Sequence, residues 1–101
     1  MVWLNRGSYL EAAFYLFRER YDQARSLLDD IRARTDARQD PAMIAWPLLK
    51  VGMIHDLEGA RKKALECYRQ IMELENGAGA QFLAERYTRR PITANDPFLG
   101  Y

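Results

Sequence analysis

Residues 45–78 read AWPLLKVGMIHDLEGARKKALECYRQIMELENGA, and this stretch decides the fold. Leu48, Val51, Gly52 and His55 recur at three- and four-residue steps, which is one face of a helix. Asp56-Leu57-Glu58-Gly59 interrupts the pattern, and Gly59 can take the positive φ that ends a helix. A second helical run follows, with Ala60, Ala64, Tyr68 and Ile71 in register and Leu65, Met72 and Leu74 beside them. Gly52 and Ala64 place small residues where the two helices would cross, so the backbones can approach closely. The spacing predicts a helical hairpin.

The same pattern extends toward the N-terminus. Ala12 and Ala24 repeat the spacing of Gly52 and Ala64, and Leu28 and Ile31 correspond to Tyr68 and Ile71. With small residues at the crossing and large apolar ones around it, the stretch resembles a tetratricopeptide repeat, a 34-residue helix–turn–helix. Leu48, Val51, Gly52 and His55 fall on the first-helix positions of that pattern, Gly59 on its turn, and Ala64, Tyr68 and Ile71 on its second helix. It departs from the family in having Trp46 two residues early, Pro47 inside the first helix, His55 in place of an aromatic, and Asn76 in place of the closing proline. Residues 5–38 look like a more degenerate copy, in which Ser8 and Glu11 stand where large apolar residues are usual.

The intervening segment predicts a longer third helix. Residues 39–44 form an extension between the copies, and Asp40-Pro41 is a helix start signal: Asp40 can cap and Pro41 suits the first turn. Pro47 should then kink that helix. Met1–Asn5 is expected to be a short lead-in to a first helix over Arg6–Arg18, with Glu19–Asp22 as the turn and a second helix to Arg34. Gly77-Ala78-Gly79 reads as a flexible break. Residues 79–90 read as a capping helix, with Phe82, Leu83 and Tyr87 inward, and residues 91–101 as an irregular tail. The expected fold is therefore one all-α domain over 1–101, a right-handed stack of about five helices.

Composition agrees with a folded helical domain. Of 101 residues, 49% are hydrophobic and 29% charged, and the net charge of +1 gives no basic surface for nucleic acid. One cysteine excludes an internal disulfide and suits a reducing compartment, so a cytoplasmic location is expected. No apolar run reaches the ~20 residues of a membrane span. The N-terminal residues lack a basic start before a long apolar core and do not read as a signal peptide.

The chain offers little chemistry. His55 is the single histidine and reads as packed between helices rather than catalytic. Cys67 reads as a small buried hydrophobe. Asp29, Asp30, Glu73 and Glu75 read as solvated helix faces, and no phosphate-binding glycine loop follows a strand. Arg61-Lys62-Lys63 and Arg86, Arg89 and Arg90 read as charged helix surface. No catalytic residue, metal ligand or cofactor is assigned.

Binding is the stronger expectation. Repeats of this kind stack their first helices into a concave surface. The resemblance implies a groove lined by Arg6, Tyr9, Ala13 and Leu16 in the first copy and by Trp46, Leu49, Met53 and Asp56 in the second. This set is mostly apolar and aromatic, as protein interfaces tend to be. The competing expectation is that the longer third helix buries Trp46 and Met53 in the core. The function expected is that of a scaffold or adaptor binding a protein or peptide. A structural domain of a larger enzyme or complex is the alternative, and a small independent enzyme comes third. Tyr9, Phe14, Leu16 and Phe17 have no earlier helix to cover them, and Phe98, Leu99 and Tyr101 no helix to hold them. The tail is therefore expected to dock on a groove or helix face, and the chain to form a homodimer.

Overall fold

A computed structural model describes residues 2–101, with side chains from Asn5 onward. Five helices follow in order: α1 (Val2–Phe17), α2 (Tyr21–Arg34), α3 (Ala42–Leu57), α4 (Arg61–Met72) and α5 (Ala80–Arg89). A 3₁₀ turn at Pro97–Gly100 closes the chain. There is no strand among the described residues, so the fold is all-α. No helix of the described residues is long and apolar enough to cross a membrane.

Consecutive helices pack on one another, and α3 also meets α1 and α5. Its sequence accounts for this central place. Met43, Ala45, Leu48, Leu49, Val51, Met53 and Ile54 point all round the helix, and each is buried. Tyr68 and Ile71 of α4, Leu28 and Ile31 of α2, and Leu83 and Tyr87 of α5 complete the core. α2 and α4 bury the stripes that their apolar spacing marks, whereas on α1 Leu10, Phe14 and Phe17 stay exposed, and on α5 Phe82, expected inward, points to solvent while Leu83 and Tyr87 are buried.

The two hairpins share one turn. Arg18, Glu19 and Arg20 N–H donate to the carbonyls of Phe14, Leu16 and Tyr15. Glu58, Gly59 and Ala60 donate to Ile54, Asp56 and His55, each residue number raised by 40. Gly59 has φ 80°, as the sequence predicts, and Glu19 holds the equivalent place at φ 60°. That left-handed conformation suits glycine and strains a glutamate.

Several local details differ from expectation. α1 begins at Val2 rather than near Arg6. Its first turns are tied to the end of α2: Asn5 Nδ2 donates to Thr35 Oγ1 at 2.9 Å, and Arg34 donates to Asn5 Oδ1 at 2.7 Å and to Ser8 Oγ at 2.9 Å. Asp40 does not cap α3. Its carboxylate accepts from Arg6 at 3.0 Å, and only its backbone carbonyl meets α3, accepting from the Met43 N–H. α3 is continuous through Pro47.

The Gly77–Gly79 break is a built turn. Trp46 Nε1 donates to the Ala78 carbonyl at 2.8 Å, and the Gln81 amide donates to the carbonyls of Ile71 and Leu74 at the end of α4. The small-residue crossing is also more specific than expected. Gly52 lies against the Tyr68 ring and the Cys67 side chain, while Ala64 is fully buried nearer the start of α4.

Candidate functional site

The residues after α5 do not hang free. Asp96 accepts from the Phe98 N–H at 2.9 Å and Pro97 follows it, so Asp96-Pro97 starts a 3₁₀ turn. That turn packs on α1. Leu99 is buried there at 7% exposure, Phe98 is partly buried, and Tyr101 stands over Phe98 edge-on with ring centroids 5.1 Å apart.

Lys50 of α3 fixes the turn. Its Nζ donates to the Phe98 carbonyl at 2.7 Å and to the Leu99 carbonyl at 2.8 Å. The side chain is 1% exposed and has no carboxylate in salt-bridge range among the described residues. Burial pushes its pKa down to about 7, partly offset by the nearby Asp96 charge. A buried ammonium is tolerated here because two carbonyl dipoles converge on it.

The eight residues implied as groove-lining separate into groups. Arg6, Tyr9 and Trp46 come together around a cleft of about 300 Å³ with Leu10, Ala42, Met43 and Tyr101. Leu16 borders a smaller space of about 70 Å³ beside Leu99 and Ala94. Ala13 is buried on α1. Leu49 and Met53 lie wholly inside the core. Asp56 sits at the far end of α3, with its side chain 1% exposed. It takes Arg61 at 2.9 and 3.0 Å and the Tyr68 hydroxyl at 2.7 Å, while Arg61 also reaches the Thr88 carbonyl at 2.8 Å. That network joins α3, α4 and the end of α5.

Two buried polar atoms at this end of the fold lack a partner, one of them on Tyr9, which lines the cleft. The Tyr9 hydroxyl and Asp40 Oδ2, the second oxygen of the Arg6 partner, are buried without a hydrogen bond. Burial also raises the Tyr9 phenol above its ordinary range.

The remaining candidates are placed apart from this face. His55 is half-buried, its pKa lowered by burial and then by the Arg25 charge. Cys67 faces Gly52, and burial pushes its thiol up, away from the reactive thiolate. No group of three metal-ligating side chains occurs among the described residues. Arg61 is taken up by Asp56, so Arg61-Lys62-Lys63 is not one free patch. Arg86, Arg89 and Arg90 border an open hollow with Phe82 and Glu85, where Arg89 pairs with Glu85 at 2.7 Å.

Docking of the tail is the sequence expectation, but Lys50 and the 3₁₀ turn that it holds were not singled out by sequence reasoning. The signals were present: Lys50 is the one charge in the apolar run from Ala42 to Ile54, and Asp96-Pro97 repeats the start signal seen at Asp40-Pro41. No family model, curated protein or solved structure matches the chain.

Proposed function

We propose that the chain is a tetratricopeptide-like interaction module that receives a short segment of a partner protein on the face between α1 and α3. Its own tail holds that place when the partner is absent. The observation that carries this reading is the docked turn: Leu99 buried on α1, with Lys50 of α3 donating to the Phe98 and Leu99 carbonyls. One end of the face, with Arg6, Tyr9, Trp46 and Tyr101, remains open as a cleft. An aromatic lining of Tyr9, Trp46 and Tyr101 suits a peptide whose apolar side chain fills the space. The work is binding rather than catalysis. A lone, buried Cys67 fits the reducing cytoplasm. A second copy of the chain is also a partner in this reading, although Leu99 is taken up by its own chain and Tyr101 is the large hydrophobic residue that the tail leaves exposed.

The test uses the full chain and a fluorescent amidated peptide copying residues 95–101. Leu99→Ser loosens the internal tail, so the peptide should bind this variant saturably and more tightly than it binds the unaltered chain. Adding Lys50→Ala should weaken that binding. A folded Leu99→Ser chain that shows no saturable binding would overturn the reading.

A further inference from the structure

The outer side of α1 carries Leu10, Phe14 and Phe17 at i, i+4 and i+7, one continuous helical stripe. They are 67%, 54% and 74% exposed. Together they present roughly 350–400 Å² of apolar surface, the size of the largest patch a monomer ordinarily leaves to water. α2 and the tail cover other sides of the helix.

The charges beside the stripe indicate what covers it. Glu11 and Arg18 lie seven residues apart, on one flank of the stripe, both exposed. Neither forms an ion pair among the described residues, and the Arg18 guanidinium already rests 5.6 Å from the centre of the Phe14 ring. Phe14 lies three residues after Glu11 and four before Arg18. A second α1 laid antiparallel, Phe14 against Phe14, therefore brings Glu11 of each copy to Arg18 of the other. A twofold axis perpendicular to the plane of the two helices keeps these flanks on the same side, so both pairs form at once.

We infer that α1 forms an antiparallel, twofold interface between two copies of the chain, with Leu10, Phe14 and Phe17 at its centre and reciprocal Glu11–Arg18 pairs at its edge. With its flanking residues the contact buries roughly 1,000 Å², which suits weak, reversible pairing. It adjoins the face that the tail covers, sharing Leu10 with the open cleft, and does not rest on that face binding a peptide.

Sedimentation velocity across a concentration series on the full chain tests this. The chain should show a concentration-dependent dimer, and Phe14→Glu should leave it monomeric with unchanged helical circular dichroism. Glu11→Arg alone and Arg18→Glu alone should each weaken the dimer by about tenfold, since each sets like charges opposite one another. An equimolar mixture of these two variants should recover pairing close to that of the unaltered chain, because each supplies the charge that the other lacks. A monomer at every concentration, or a dimer indifferent to Phe14→Glu, overturns the interface. A mixture no better than its components overturns the antiparallel register.

Discussion

Replacing Gly52 by alanine tests the packing on which the central hairpin rests. A Cβ built on Gly52 falls 2.6 Å from Tyr68 Cε1 and 3.1 Å from both Tyr68 Cδ1 and Cys67 Cβ. Carbon atoms at rest sit about 3.5–4.0 Å apart, so the closest contact is short by roughly an ångström. The ring cannot slide away freely, because Tyr68 is fully buried and its hydroxyl is held by Asp56 at 2.7 Å. Overpacking of this kind costs about 1–3 kcal/mol. Against it stands the helix propensity gained on replacing glycine, up to about 1 kcal/mol.

Gly7→Ala separates the two effects. Gly7 is exposed on α1, and nothing lies within 4 Å of its added Cβ, so only the propensity gain remains. Urea and thermal unfolding followed by circular dichroism should place Gly7→Ala above the unaltered chain by about 0.5–1 kcal/mol. Gly52→Ala should fall below Gly7→Ala by about 1–3 kcal/mol, or roughly 4–20 °C in Tm for a chain of this size. Shrinking the neighbour with Tyr68→Leu should make the Gly52→Ala penalty smaller than in the unaltered chain. Equal stability of the two alanine variants would refute the close approach of α3 to the Tyr68 ring.

Three further outcomes follow from the geometry. Glu19→Gly should stabilise by about 0.5–1 kcal/mol and Gly59→Ala should destabilise by about 1 kcal/mol, both read by chemical denaturation, because the two residues occupy the same left-handed turn position. Asp56→Ala should cost about 2–3 kcal/mol in the same assay, since it strands the Tyr68 hydroxyl and one side of Arg61, whose partial exposure softens the loss. Folding lowers the Lys50 pKa from 10.5 to about 7, so the unfolded chain holds the extra proton between those values and stability should rise with pH from about 7. Subtracting the Lys50→Met profile between about pH 7 and 8.5 should isolate this rise, and superimposable profiles would remove it.

The helical hairpins were legible because their information is local. Gly52, Ala64, Tyr68 and Ile71 set the face of each helix, and Gly59 marks the turn between them. The same reasoning could not tell an inward apolar residue from one lining a groove. Leu49 and Met53 belong to the core because α3 is enclosed by α1, α2, α4 and α5, a property of the assembled helices rather than of any spacing. Asp56 was legible as a polar helix-end residue, but its ties to Arg61 and Tyr68 depend on where α4 begins. Asp40 shows the same limit: a local capping signal lost to Arg6, thirty-four residues away in sequence. The first helix errs in the opposite direction. Its Leu10, Phe14 and Phe17 are apolar at helical spacing yet stay open, because α2, α3 and the closing 3₁₀ turn pack on its other sides.

On the proposed reading, the tail sets how a peptide on the face between α1 and α3 must behave. A tethered segment faces its site at a local concentration on the order of millimolar, so a free competitor is measured against it and not against an empty surface. The apparent affinity equals the intrinsic one multiplied by the fraction of chains whose tail is undocked. Burying Leu99 contributes about 1.5–3 kcal/mol to docking, which by itself lowers that fraction roughly 10- to 150-fold. Leu99→Ser removes this contribution while leaving Lys50 and the α1 side chains in place, and should tighten peptide binding by up to the same factor. Lys50→Ala acts differently, because it takes the same two hydrogen bonds from tail and competitor alike. It should therefore lower the affinity of the Leu99→Ser chain for the peptide, and have less effect on the competition in a chain whose tail is intact. That difference separates a side chain belonging to the site from one belonging only to the plug.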